Sequence, residues 1–183
     1  IADPKFFERA EKFMLLKDTE GKYYTLEEYK KQIEENQKNK DGRLVYLYAT
    51  NADEQYSNIE NAKSKGYNVL LLDGILDAHF ISTLEQKYGD CQFARVDSAS
   101  IDKLIEKEEE SKESKLNDEQ KESVKKAFEE IIDKTSFNVE FSNLNEADAP
   151  VEVIQNEFMR RMKEMSTMNG MSMWGGMPDS YTL

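Results

Sequence analysis

Apolar residues follow two different periods in the first half of the chain. Three short runs of mainly aliphatic and aromatic residues predict β-strands, at 44–49, 68–72 and 92–96. Between them, apolar residues at helical spacing follow polar capping residues and predict helices from about 51–53 to 65 and from 77 to 88. This order of elements indicates βαβ units joined by right-handed crossovers. We therefore predict an α/β fold, with a small three-layer unit over roughly residues 20–97.

Two more helices are predicted ahead of the first strand. Residues 2–16 carry a broad apolar face made of Phe6, Phe7, Ala10, Phe13 and Met14. Residues 18–21, Asp-Thr-Glu-Gly, have the composition of a turn. Thr25 and Glu28 then have the spacing of a capping box, which predicts a helix that runs toward Asn36.

The pattern becomes weaker and more charged after Asp97. Residues 98–116 include a dense run of charges, typical of a solvated helix or linker, and form the clearest predicted domain boundary. Asn117 is expected to cap a helix with an apolar stripe at Val124, Phe128, Ile131 and Ile132. The elements predicted after it are strands at 137–141 and 151–154, a loop at 143–150, a helix at about 155–167 and loop-like chain at 168–183. We expect this second part to be an α+β segment.

Composition narrows the classes of function. Charged residues make up 34% of the chain and its net charge is −12, which argues against a protein that binds the phosphate backbone of nucleic acids. The single cysteine, Cys91, excludes an internal disulfide framework and a multi-cysteine zinc site. Neither a membrane span nor a signal peptide is apparent, so we expect a soluble, cytoplasmic chain. Because it begins at Ile1 without an initiator methionine, we also expect it to be part of a longer protein.

Residues suited to catalysis or metal binding are few. His79 is the only histidine, and a nucleophilic pair of His79 with Cys91 lacks a third residue marked by spacing as its orienter. The sequence contains neither of the glycine-rich nucleotide-binding motifs GxxxxGK(S/T) and GxGxxG. We predict no catalytic, metal or nucleotide site. The enzymatic alternative is a small α/β oxidoreductase in which Cys91 is reactive, and this alternative requires a lowered thiol pKa.

Methionine is concentrated in one region, since seven of the eight methionines lie between Met159 and Met177. The helix predicted there places Ile154, Phe158, Met162 and Met165 on one face, and Met159 and Met168 widen it. Methionine is flexible and polarizable, and such faces recur at surfaces that bind many apolar shapes. An ordinary core face fits the same periodicity. Two further alternatives are a module that binds one dedicated helix and copper(I) binding at Met171-x-Met173.

Three stretches of the chain together carry the motifs of a known family. They are Phe13-Met14-Leu15-Leu16 with Gly21-Lys22-Tyr23-Tyr24-Thr25-Leu26-Glu27-Glu28-Tyr29, then Gly42-Arg43-Leu44-Val45-Tyr46-Leu47-Tyr48-Ala49-Thr50, and Lys65-Gly66-Tyr67-Asn68-Val69-Leu70-Leu71-Leu72-Asp73 with Ile75-Leu76-Asp77. Together they resemble the bacterial heat-shock protein 90 chaperones. The similarity in residues covers 13–97, and over 98–183 the order of elements is similar.

The resemblance implies an arrangement of domains. Residues 1–97 would be the end of the middle domain, 98–116 a charged linker or helix, and 117–183 an incomplete C-terminal domain. The ATPase domain that uses ATP and magnesium, and the helices that form the family's homodimer, would lie outside this chain. This segment is therefore expected not to be an enzyme.

The resemblance also implies a function and the residues that perform it. The family holds unfolded or partly folded client proteins on apolar patches. From charge and hydropathy we expect neither nucleic acid nor membrane as a partner. The client-facing helix of the middle domain would correspond to residues 77–84, with His79 at a position that is aromatic in some relatives and Phe80 beside it. The amphipathic helix of the C-terminal domain would correspond to residues 156–166. Its expected client-binding residues are Phe158, Met159, Met162 and Met165.

Overall fold

The computed structural model describes residues 8–99, 101–105, 116–141, 150–168 and 181–183. The chain divides into two compact units. The first consists of Ile1–Val96 with Ile101–Lys107, and the second of Asp97–Ser100 with Glu108–Leu183. The helix preceding the charged stretch thus belongs with the first unit.

A parallel three-stranded sheet is the centre of the first unit. The elements in chain order are β1 (Leu15–Lys17), β2 (Tyr23–Thr25), α1 (Leu26–Ile33), β3 (Leu44–Ala49), α2 (Tyr56–Ser64), β4 (Val69–Leu71), α3 (Asp77–Tyr88), β5 (Cys91–Arg95) and α4 (Ile101–Leu104). Strand β3 lies between β4 and β5 and is parallel to both. The predicted parallel βαβ arrangement is confirmed.

Each face of this sheet carries its own hydrophobic core, because the side chains of β3 alternate between the faces. One core joins Tyr46 and Tyr48 to buried residues of α1 and α3, with Tyr29, Ile33, Ile81 and Leu84 among them. The other core joins Val45 and Leu47 to residues of α2 and to Ile101 and Ile105 around α4. The predicted three-layer α/β unit is therefore confirmed.

The predicted helix at 2–16 is wrong at its C-terminal end. Residues 8–10 are helical, but Leu15–Lys17 form β1 and pair antiparallel with β2. Asp18 stabilises the connecting turn, since its Oδ1 accepts hydrogen bonds from the backbone N–H groups of Glu20 and Lys22, both at 2.9 Å. Pairing buries Leu16 in the first core, which a continued helix would not do.

Three local signals for helix ends were predicted correctly, and one was not. Thr25 and Glu28 form the capping box of α1, and Asn117 forms another with Gln120 at the start of α5 (Asp118–Glu129). Gly66, with a φ of 81°, follows the end of α2 in the left-handed conformation that favours glycine. The predicted cap of α2 at Asn51 or Asp53 is wrong, because the helix begins only at Tyr56.

The second unit contains α5, β6 (Phe137–Asn138), β7 (Ile154–Gln155), α6 (Glu157–Met168) and β8 (Tyr181–Thr182). Strand β8 lies in the middle of a small sheet, parallel to β6 and antiparallel to β7. The expectation of loop-like chain over 168–183 is wrong at 181–182. The helix predicted through Ile131 ends earlier, and Ile131 is 81% exposed.

Several predictions fall on residues outside the described ranges. They concern the start of the N-terminal helix at residues 2–7, the charged run at 106–115, the loop at 143–149 and the methionine-rich stretch from Met171 to Met177.

Candidate functional site

Helix α6 carries most of the residues that the sequence marks for binding. It begins after Asn156, whose Oδ1 accepts a hydrogen bond from the backbone N–H of Met159 at 3.2 Å. This bond satisfies one of the free N–H groups of the first helical turn. The helix therefore has a defined start, which sets the direction of each side chain in the turns that follow.

The burial of α6 is reversed with respect to its polarity. Arg160 is only 5% exposed, whereas Phe158 is 68% exposed. Met159 is exposed as well, and Met162 is half-buried. A surface helix normally turns its apolar stripe toward the core and its charges toward water. The alternative in which Phe158 is an ordinary core residue is therefore wrong.

An ion-pair cluster within the helix makes the burial of the arginines tolerable. Nη2 of Arg160 and Nε of Arg161 both donate hydrogen bonds to Oε1 of Glu157, at 2.9 and 2.6 Å. Glu157 lies three and four residues before the arginines, which are the spacings at which helical side chains meet. Because a buried guanidinium is stable only when it is paired, Glu157 helps to hold this polar face inward.

The structure brings together only part of the predicted apolar face. Phe158, Met159 and Met162 share the start and middle of α6, with decreasing exposure in that order. The side chain of Met165 lies outside what the structure describes, although its backbone is helical. The described portion of the face is thus one exposed aromatic ring with two methionines beside it.

The second predicted group lies on α3 in the first unit. His79 is half-buried, and the hydroxyl of Thr83 donates a hydrogen bond to its backbone carbonyl at 2.8 Å. Phe80 is also half-buried and packs against the core formed by Ile81, Leu84 and the sheet. Both side chains therefore offer less free apolar surface than Phe158 does.

Sequence reasoning missed the two most exposed apolar residues near α3. Ile75 is 81% exposed and Leu76 is 58% exposed, immediately before the helix begins. The signal in the sequence is their position, because they follow the Asp73-Gly74 turn at the end of a buried strand. Connecting segments run over the protein surface, and apolar residues within them are commonly exposed.

Cys91 lies in a setting that opposes a reactive thiol. It is buried at the start of β5, beside a cavity of about 260 Å³ that α1 and α3 also line. Burial, together with the nearby carboxylates of Asp90 and Glu85, raises the pKa of the Cys91 thiol to about 11. Since the thiolate is the reactive form, the lowered pKa required by the oxidoreductase alternative is contradicted.

Neither a metal-binding cluster nor a membrane-spanning helix is present in the described residues. In those ranges, histidine, cysteine and carboxylate side chains form no group of three or more that could hold a metal ion. Every helix in the same ranges is too short or too polar to cross a membrane.

Comparison with known proteins identifies the family. The family model described as Hsp90 protein matches residues 5–179. The chain is 50% identical to the chaperone protein HtpG of Bacteroides thetaiotaomicron, 49% identical to that of Bacteroides fragilis and 46% identical to that of Porphyromonas gingivalis. Each match covers all of this chain and 27% of the relative, so the chain corresponds to a segment of these longer proteins.

A solved structure of the middle domain of a heat shock protein from Plasmodium falciparum is also similar. Its TM-score is 0.41 and its sequence identity 22%, over 54% of this chain and 41% of that chain. The matches in sequence confirm the resemblance found in residues 13–97, and extend it over the second unit. The chain belongs to the Hsp90 family of chaperones.

Proposed function

We propose that this chain is the client-holding segment of an ATP-dependent Hsp90 chaperone of the cytoplasm. Residues 1–97 form the end of a middle domain, 98–116 a charged connection and 117–183 the start of a C-terminal domain. The segment captures unfolded or partly folded proteins on exposed apolar side chains and performs no covalent chemistry. The use of ATP and magnesium, and the formation of the homodimer, belong to other parts of the longer protein.

The reversed burial of α6 is the observation that carries this proposal. A free chain that leaves Phe158 in water while Arg160 is buried keeps apolar surface available at some cost in stability. An apolar segment of a client would cover that surface and remove it from water. Met159 and Met162 extend the surface with side chains that adapt to many shapes, which suits a protein with varied clients.

The acidic composition fits the same function. With a net charge of −12, the chain stays dispersed while apolar side chains are exposed. On α3, His79 and Phe80 contribute a second and smaller contact, since both are half-buried.

The test measures binding of a permanently unfolded protein to the full 183-residue chain. Reduced and carboxymethylated α-lactalbumin, labelled with a fluorophore, is titrated with wild type, Phe158→Ser and Ile131→Ser, and anisotropy is recorded. Ile131 is the matched control, because it is an exposed apolar residue of the second unit that lies outside α6. Burying most of a phenylalanine contributes roughly 1–2 kcal/mol, so we expect about 5- to 30-fold weaker binding for Phe158→Ser.

The Ile131→Ser variant is expected to bind as wild type does. Equal binding by Phe158→Ser and wild type would refute the role of α6, and the absence of any binding by wild type would refute the proposed function. Saturable one-to-one binding to a single defined peptide, with no affinity for the unfolded protein, would favour a module dedicated to one partner helix.

A further inference from the structure

The connection between β4 and α3 presents two adjacent apolar side chains to solvent. Ile75 and Leu76, which we call the apolar tip, are among the most exposed large apolar residues of the first unit. They follow β4 at the end of the parallel sheet where the connecting loops carry the binding residues of many α/β proteins.

Hydrogen bonds hold the tip in one conformation. The backbone N–H of Gly74 donates to Oδ2 of Asp77 at 2.8 Å, and the N–H of Asp77 donates to the carbonyl of Gly74 at 3.0 Å. The N–H of Phe80 donates to the carbonyl of Leu76 at 3.0 Å, which ties the tip to the first turn of α3. A side chain presented by an ordered turn loses less conformational entropy on binding than one presented by a loose loop.

The residues next to the tip in the chain are negatively charged. Asp73 and Asp77 flank it directly, and residues 66–86 contain three carboxylates and no lysine or arginine. Asp73 is exposed, and Asp77 is half-buried. The neighbouring strand β1 contributes one cation, Lys17, which is half-buried.

The direction of β1 adds one more apolar side chain to this side of the sheet. An antiparallel bridge joins Asp18 to Leu70, and the N–H of Thr19 donates to the carbonyl of Val69 at 3.0 Å. Because the two strands run in opposite directions, the beginning of β1 lies on the side of the residues that follow β4. Leu15, at the beginning of β1, is exposed.

We propose that the apolar tip is a client-contact site that selects extended segments in which an apolar residue is next to lysine or arginine. This inference rests on the proposed function and gives it a substrate class. The aliphatic side chains of the tip cover the apolar residue, and Asp73 and Asp77 attract the neighbouring cation. A segment with acidic neighbours is repelled, which gives selectivity in addition to apolar capture.

The test uses two unstructured peptides with the same central apolar residues, one flanked by lysines and one by glutamates. Each is labelled with fluorescein and titrated with the full chain at low and at high salt. We expect wild type to bind the lysine-flanked peptide at least fivefold more tightly, with the difference reduced at high salt because exposed charges are then screened.

Two pairs of variants separate the apolar and the charged contributions. Ile75→Ser with Leu76→Ser is expected to weaken binding of the lysine-flanked peptide about five- to tenfold, whereas Ile131→Ser, at an equally exposed isoleucine, leaves it unchanged. Asp73→Asn is expected to reduce the preference for lysine two- to threefold. Its control is Asp41→Asn, at another exposed aspartate that precedes a glycine. Circular dichroism verifies that each variant is folded.

Three results would overturn the inference. They are equal affinity of wild type for both peptides, unchanged binding by the double variant, and an equal loss in Ile131→Ser. If the double variant binds normally while Phe158→Ser does not, the tip is refuted and the proposed function stands; if wild type binds no unfolded chain, both fail. A second copy of the chain is the other candidate for covering the tip, and light scattering tests it. If wild type is a dimer and the double variant a monomer, the tip is a contact between two copies and the inference is refuted.

Discussion

A buried amide in the first unit allows a quantitative test of the fold. The side chain of Gln37 is fully buried just beyond the end of α1. Its Nε2 donates to the carbonyl of Val45 at 2.9 Å, and its Oε1 accepts from the backbone N–H of Asn68 at 2.6 Å. One side chain thus joins the start of β3 to the residue that precedes β4. We predict that Gln37→Met destabilises the protein although methionine has nearly the same length.

The magnitude follows from the groups that lose a partner. A buried N–H without an acceptor costs about 1–3 kcal/mol, and the lost bond to Val45 adds about 1 kcal/mol. Methionine fills similar volume, so loss of packing adds little. We therefore expect the free energy of unfolding to fall by about 2–4 kcal/mol. The control is Gln32→Met on the exposed side of α1, for which we expect a change within about 0.5 kcal/mol.

Urea unfolding followed by tyrosine near-ultraviolet circular dichroism measures this change, because eight of the nine tyrosines lie in the first unit. A loss below 1 kcal/mol in Gln37→Met would show that water or a rearranged backbone replaces the amide. A loss of similar size in Gln32→Met would show that the substitution acts through helix propensity. Either result would refute the reasoning from burial.

Two other predictions concern the small sheet of the second unit and the Cys91 thiol. Removal of residues 181–183 deletes the central strand of the small sheet, so amides of β6 and β7 should exchange with solvent at least tenfold faster by hydrogen-exchange mass spectrometry; unchanged exchange would refute the central position of β8. Since burial raises the pKa of Cys91 to about 11, the unfolded thiol loses its proton first as pH rises, and stability should fall between about pH 9 and 11. Cys91→Ala should lack this part of the decrease in urea unfolding; an identical pH dependence in the variant would contradict it.

The central sheet could be predicted because its signals are local. Each strand of the parallel sheet is an apolar run between turn residues, and the ends of α1, α2 and α5 depend on residues within a few positions of one another. The order of such elements then restricts the topology to a small number of arrangements. Each signal for this part of the fold therefore lies within one short stretch of the sequence.

The elements that were missed depend on partners distant in sequence. β8 has two residues, and its partners Phe137 and Ile154 lie far back along the chain. Gln37 is polar, and nothing near it in sequence indicates that the carbonyl of Val45 and the N–H of Asn68 will surround it. β1 is a different case, because its partner β2 is close in sequence; it was assigned to a helix because three residues are too few to show an alternation. For β8 and Gln37, contacts distant in sequence determine the structure.

At the candidate site too, the sequence predicts the spacing of the side chains but not which of them are buried. Periodicity placed Phe158 and Met162 on one face of α6 and the arginines on the remainder, and the helix confirms that spacing. Periodicity gives no information about which face meets the protein. Glu157 pairs with Arg160 and Arg161 and so lowers the cost of turning them inward. Phe158 and Met159 are left exposed to water, and their unfavourable hydration is the free energy that a bound client would recover. On the proposed function, the ion pairs of α6 are therefore part of the client site although they need not touch a client.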